Sequence, residues 1–172
     1  AAARLIRKID PARVPAPSSL AEFSQQLSLL EQHDDALRYL EAAMRLGLDG
    51  DWVHYIHGNY LKFLGRMGPA LDAYGRSLEL NPNYPFAHYA IATTAKGGDS
   101  SARIDRIRSA IDKLGTGHRD APYLHYALFH ELDAIDEPSF RPPPGLRIAS
   151  RIEEPDRLEE MYAIGVQADE DI

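Results

Sequence analysis

Cysteine is absent from the 172-residue chain. Without thiols, the protein has no disulfides, no thiolate zinc site and no cysteine nucleophile. Long apolar runs are absent as well. No stretch approaches the roughly 18 residues that a membrane-spanning helix needs, and no signal-peptide pattern is visible. We therefore expect no membrane segment and predict a cytoplasmic location.

Basic residues are fewer than acidic ones. The chain has 19 Lys and Arg against 26 Asp and Glu, a net charge of −7. This balance argues against a general nucleic-acid or anionic-membrane surface. An apolar content of 44% indicates a soluble globular protein. The opening AAARLIRKID has no initiator methionine, so we expect it to come from the middle of a longer chain.

An internal repeat is the main feature that is present. Shifting the sequence by 34 residues places small residues on small ones and large residues on large ones. The aligned positions are Ser24, Gly58 and Ala92; Leu27, Leu61 and Ala95; Ala36 and Ala70; Leu40 and Tyr74; Ala43 and Ser77. A shift of 35 residues carries Ile91 to Tyr126 and Ala92 to Ala127. This period, with two helical patterns in each unit, predicts a solenoid of helix pairs.

Residues 51–84 carry the clearest unit, with Gly58, Leu61, Ala70, Tyr74, Ser77 and Pro82. These positions resemble the small, large and proline columns of tetratricopeptide (TPR) repeats. The resemblance implies an all-α, TPR-type helix-turn-helix solenoid wound as a right-handed superhelix. It also implies that the first helices of the units line a concave face that binds proteins or peptides. In the third unit Ile104 and Arg108 replace the small and aromatic residues of the second helix.

Packing explains why these columns are needed. Two antiparallel helices approach closely only where one side chain is small, as at Gly58 and Ala70, and a large residue such as Tyr74 then fills the remaining groove. Gly65 is suited to ending a first helix, and Pro82 to stopping a second one.

The predicted organisation has three parts. Residues 1–16 hold an orphan helix, whose partner lies upstream, and a linker. The solenoid covers 17–137, and a proline-rich break, a capping helix and an acidic tail follow in 138–172. The repeats are expected at about 17–50, 51–84, 85–119 and, as a partial unit, 120–137. The helices are expected at about 17–30, 33–46, 51–64, 69–80, 85–96, 100–114 and 120–134.

A peptide-binding groove is expected on the concave face, where units two and three present aromatic residues at matching positions. Aromatic faces beside amide and ammonium donors suit an extended peptide, or an amphipathic helix, that carries acidic groups. The predicted groove residues are Trp52, Tyr55, Asn59, Lys62, Phe86, Tyr89, Thr93 and Lys96.

Catalytic and metal-binding patterns are weak. His54 and His88 fall in a packing column, so we interpret them as structural imidazoles. The HELDA segment at 130–134 has Ala134 where a zincin motif needs its second histidine. Glu131 belongs to a carboxylate cluster with no fixed pair for acid–base chemistry. We expect no metal, no cofactor and no catalytic site within this chain.

Two further surface features, a basic stripe and the apolar ends of the solenoid, do not require a ligand. Arg103, Arg106 and Arg108 form a basic stripe on the second helix of the third unit. Such a stripe is usually a solvated face or a partner for an adjacent acidic helix, so we expect no nucleic-acid binding. The ends of the solenoid expose apolar faces and could pair two copies into a homo-oligomer.

The expected function is a protein- or peptide-binding scaffold. The alternative rests on a second resemblance. Residues 100–140, including Leu124, Tyr126, Ala127, Leu128 and Leu132, are similar to the last repeats before the catalytic domain of bacterial TPR-sulfotransferases. In that case the chain is the N-terminal repeat region of a larger transferase, whose catalytic domain lies outside these 172 residues.

Overall fold

The computed structural model describes residues 9–95, 97–115 and 117–135. The predicted orphan helix, apart from Ile9, lies outside these residues, as do the predicted proline-rich break, capping helix and tail. The described part contains a short 3-10 helix, Pro11–Arg13, and seven α-helices, and it has no strand. The helices are α1 (Pro17–Ser28), α2 (His33–Arg45), α3 (Asp51–Phe63), α4 (Met67–Leu80), α5 (Pro85–Thr94), α6 (Ser100–Leu114) and α7 (Ala121–Ala134).

The predicted all-α fold is confirmed, and each helix end lies within two residues of its expected position. Glycine ends the first helix of the second unit as the pattern predicts. Gly65 follows α3 with a φ of 73°, a left-handed conformation that other residues adopt only with strain. No helix of the described part is both long and apolar enough to cross a membrane.

The first two helix pairs pack as the small and large columns predict. α1 lies against α2, and α3 lies against α4. A Cβ atom added to Gly58 would lie only 2.5 Å from Cδ1 of Tyr74, so the backbone of α3 touches the ring that α4 presents. The Ser24 hydroxyl donates to the Tyr60 hydroxyl oxygen across 3.1 Å and joins α1 to α3 inside the protein.

The third pair departs from this arrangement. α5 packs mainly against α7, and α6 also packs against α7, whereas α5 and α6 make little direct contact. The sequence supplies a reason. Ala92 stands in the column of Gly58, and the exposed Arg108 stands in the column of Tyr74, so the close approach of the second unit has no counterpart here.

As a result the core has two clusters of buried side chains. The first extends over α1 to α4 and reaches Ala90 on α5. The second is built from α6 and α7, around Ile104, Ile107 and Leu124, with Tyr89 of α5 packed against it. Helix α5 is therefore the element on which both clusters meet.

An ion pair fixes α6 to α7. The Arg103 Nε donates to Glu131 Oε1 across 2.5 Å, and the Glu131 side chain is only 3% exposed. The same guanidinium donates from Nη2 to the Ser100 hydroxyl at 3.0 Å and to the Gly97 carbonyl at 3.2 Å. Arg103 is thus an ion-pair partner for the neighbouring helix, as expected for the basic stripe, and Glu131 is committed to a structural role.

Candidate functional site

Five aromatic side chains form a continuous row across α3, α5 and α7. Tyr55 contacts Phe86, with ring centroids 5.9 Å apart, and Phe86 contacts Tyr123 at 4.8 Å. Tyr89 in turn contacts Tyr123 at 5.9 Å and Tyr126 at 5.6 Å. The rings meet in tilted or edge-on geometry, the arrangement that aromatic quadrupoles favour. We call these five residues the aromatic ladder.

The ladder is partly buried, and Tyr55 connects it to the core. All five side chains retain some exposed surface. Tyr55 also contacts Tyr74 and Tyr84, at centroid distances of 6.1 Å and 5.7 Å. Burial raises the pKa of Tyr55 to about 12, and a hydrogen bond with Asn59 offsets part of the rise. Burial also raises the pKa of Tyr89, so its phenol, like that of Tyr55, stays neutral at physiological pH.

Two of the predicted polar groove residues are engaged within the protein. Asn59 is buried, and its Oδ1 accepts a hydrogen bond from the Tyr74 hydroxyl at 2.9 Å. The Thr93 hydroxyl donates to the backbone carbonyl of Tyr89 at 2.9 Å. Asn59 therefore helps to hold the ring of Tyr74, which contacts Tyr55 of the ladder, whereas the Thr93 hydroxyl bonds back to its own helix.

The other predicted groove residues lie near the two ends of α3 or outside the described residues. Trp52 is partly buried against the first core cluster. Lys62 is partly buried, and this burial lowers its pKa. Lys62 has no carboxylate within ion-pair distance in the part of the chain that the structure describes. Lys96 lies outside the described residues.

Tyr123 and Tyr126 are additions that the predicted groove did not include. Tyr55, Tyr89 and Tyr123 follow one another at intervals of 34 residues. The 34-residue period of the first units, carried one unit further, therefore points to Tyr123 as a groove residue. The shift of 35 residues used for the fourth unit places Leu124 in that column instead. Leu124 is fully buried in the second core cluster.

His54 and His88 each contact an oxygen atom within the protein. His88 is 4% exposed, and its Nε2 lies 2.9 Å from the Pro82 carbonyl oxygen. His54 Nε2 lies 2.7 Å from Asp49 Oδ1. These contacts agree with the interpretation of both residues as structural imidazoles. Residues 9–95, 97–115 and 117–135 contain no group of three or more His, Asp or Glu side chains placed to hold a metal ion.

Comparison with known proteins gives a result for the fold only. No protein-family model and no curated protein matches the chain, so the resemblance to TPR-sulfotransferases stays a prediction. Among solved structures, the MamA protein is 19% identical with a TM-score of 0.61, covering 78% of this chain and 72% of its own. The TPR domain of Sgt2 from Aspergillus fumigatus is 15% identical with a TM-score of 0.56, covering 83% and 89%. YrrB, a TPR protein with an unusual peptide-binding site, is 19% identical with a TM-score of 0.52, covering 88% and 75%. The chain therefore has a TPR-like, all-α solenoid fold.

Proposed function

We propose that this chain is a protein-interaction scaffold that binds an extended peptide segment of a partner along the aromatic ladder. The observation that carries the proposal is the continuity of the ladder. Tyr55, Phe86, Tyr89, Tyr123 and Tyr126 contact one another across three helices. A partly exposed row of touching rings presents more apolar surface than one isolated side chain does, and such surfaces are typical of recognition sites.

The chemistry of the ladder indicates the kind of segment that fits. Tyrosine rings offer apolar faces for proline or aliphatic side chains, and their hydroxyl groups can bond to backbone carbonyls. Extended proline-containing segments use aromatic-lined grooves in this way. Lys62, on the helix that carries Tyr55, adds an ammonium group suited to an acidic side chain of the ligand.

The fold gives independent support by analogy. YrrB has a TPR fold and a peptide-binding site, which shows that such a scaffold can hold a peptide. Sequence identity at this level does not transfer its site, and the support for the ladder comes from the residues of this chain.

Selection from a library of random peptides displayed on phage would test the proposal. Selected peptides would be synthesised with a fluorophore, and their affinity measured by anisotropy. We expect the double variant Tyr89→Ala, Tyr126→Ala to bind them at least about tenfold more weakly, because buried aromatic anchors typically contribute about 2 kcal/mol or more. Tyr55 is left intact because it contacts Tyr74 of the first core cluster, and the helical content of the double variant is checked because Tyr89 packs against the second cluster.

Phe63→Ala is the matched control. Phe63 is 45% exposed and stacks on His33, with ring centroids 4.5 Å apart. Its loss removes an aromatic group outside the ladder and should leave affinity unchanged. Peptides that bind the double variant as tightly as the wild type, with helical content preserved by circular dichroism, would exclude the ladder as the binding site.

A further inference from the structure

A second, polar cleft lies between α4 and α6, away from the aromatic ladder. Helix α6 packs on α7 and makes little direct contact with α4. The cleft has a volume of about 270 Å³. Its polar lining consists of Glu79, Asn83, His88, Arg106, Ser109 and Lys113.

The α6 wall of this cleft is cationic. Arg106, Ser109 and Lys113 are spaced by three and four residues, which places them on one face of the helix. Arg106 uses its Nε on the Ala102 carbonyl of its own helix, at 3.2 Å, and this leaves its two terminal nitrogens for another acceptor. Across the described ranges no carboxylate lies within ion-pair distance of Arg106 or Lys113.

The opposite wall adds little negative charge. Glu79 is the one carboxylate among the lining residues, and its Oε2 accepts a hydrogen bond from Arg76 Nη1 at 2.7 Å. Burial lowers the pKa of His88; the hydrogen bond to the Pro82 carbonyl opposes this effect and the Arg106 guanidinium adds to it, so the imidazole is neutral at neutral pH. Asn83 adds a side-chain amide at the turn before α5. Among the described residues, the cleft thus combines two cations that have no carboxylate partner with neutral hydrogen-bond donors.

We propose that this cleft is a binding site for a phosphate-type oxyanion, held by Arg106 and Lys113 and by the donors of Ser109 and Asn83. Its volume lies below the range of about 300–1,000 Å³ that is typical for sites of drug-sized ligands. A phosphate group is much smaller than this volume and would share the cleft with bound water; guanidinium and ammonium groups are the usual partners of phosphate. The oxyanion could be a free ion or the phosphate of a phosphorylated serine.

The test is a titration of the 15N-labelled chain with sodium phosphate in Hepes at neutral pH, followed by two-dimensional NMR. Sodium chloride at matched ionic strength is the reference. We expect saturable shifts of the amides of Asn83, Ser109 and Gly75, which line the cleft, with a dissociation constant of about 1 mM. The double variant Arg106→Gln, Lys113→Gln should weaken binding at least about tenfold, because it removes two charge-assisted contacts.

The matched control is Arg66→Gln, Arg108→Gln. It removes the same charge from two exposed residues outside the lining of the cleft and should bind phosphate like the wild type. Equal weakening in both double variants, or equal shifts with chloride, would overturn the proposal in favour of a general ionic effect. A parallel titration with O-phosphoserine separates the sources: tighter binding than inorganic phosphate indicates a phosphorylated chain, and equal or weaker binding indicates the free ion.

Discussion

The ring of Tyr74 lies directly against the backbone of Gly58, and no side chain fits between them. This contact sets the distance between α3 and α4. It also positions Tyr55, which contacts Tyr74 from the same helix as Gly58, so the spacing of one helix pair supports the first ring of the ladder.

Gly58→Ala should destabilise the protein. Its new methyl group would overlap the Tyr74 ring, and overpacking of this kind typically costs about 1–3 kcal/mol. The better helix propensity of alanine offsets about 1 kcal/mol of that cost. We expect a net loss of up to about 2 kcal/mol in the free energy of unfolding, measured by urea denaturation followed by circular dichroism.

Gly75→Ala is the control for this substitution. Gly75 is inside α4, and a Cβ added there meets nothing within 4 Å. It should stabilise the protein by about 0.5–1 kcal/mol through helix propensity alone. If Gly58→Ala stabilised the protein to the same extent, the close approach to Tyr74 would make no contribution to the free energy of unfolding.

Glu131→Gln should be strongly destabilising. It leaves the guanidinium of Arg103, whose side chain is 15% exposed, without its counter-charge, and breaking a buried pair in this way costs about 3–5 kcal/mol. The measurement is again the urea midpoint. Glu79→Gln, which breaks the exposed pair with Arg76, should leave the midpoint unchanged, and equal effects of the two substitutions would contradict the assignment.

Ile107→Ala should destabilise α6 and α7 more than α1 and α2. Ile107 is 1% exposed within the second core cluster, and such truncations cost about 2–5 kcal/mol. Because stability in solenoids is transmitted between neighbouring units, hydrogen exchange should become faster in α6 and α7 than in α1 and α2. A uniform increase over all described helices would mean that the two clusters unfold as one unit.

Stability should fall as the pH drops below about 6.5. Burial lowers the pKa of His33, His57 and His88 from the ordinary value of 6.5. The unfolded chain therefore takes up protons at a higher pH than the native protein, and the free energy of unfolding decreases with pH in that window.

Nearby charges oppose or reinforce this effect of burial. Glu41, 3.6 Å from His57, raises the pKa of that residue, as Glu31 and Asp34 do for His33, whereas Arg106 lowers that of His88. Urea midpoints at pH 8 and pH 5.5, compared between the wild type and His88→Gln, would measure the effect. We expect a smaller difference in the variant; an identical difference would show that His88 plays no part.

Much of the fold followed from local patterns. Helix ends are set by prolines, glycines and the apolar period within each segment, so all seven described helices were predictable to within two residues. The pair of Gly58 and Tyr74 was predictable for the same reason, since small and large residues recur at fixed positions in each unit. Part of the ladder was predictable too, because Tyr55 recurs as Tyr89 after 34 residues and Phe86 stands at the position of the aromatic Trp52.

The partner of α6 was decided only in three dimensions. The substitutions Ile104 and Arg108 indicate that the third pair is unusual, but they do not indicate which helix α6 packs against instead. That choice depends on how the surfaces of α5, α6 and α7 fit together, and on burying the ion pair of Arg103 and Glu131. Local sequence patterns thus specify the helices and their small and large columns, whereas packing between distant segments produces the split core, the extension of the ladder to Tyr126 and the cleft beside α6. The repeat period specifies which face of each helix is buried, because it depends on residues close together in the chain. Which neighbouring helix that face packs against depends on contacts between residues far apart in the chain.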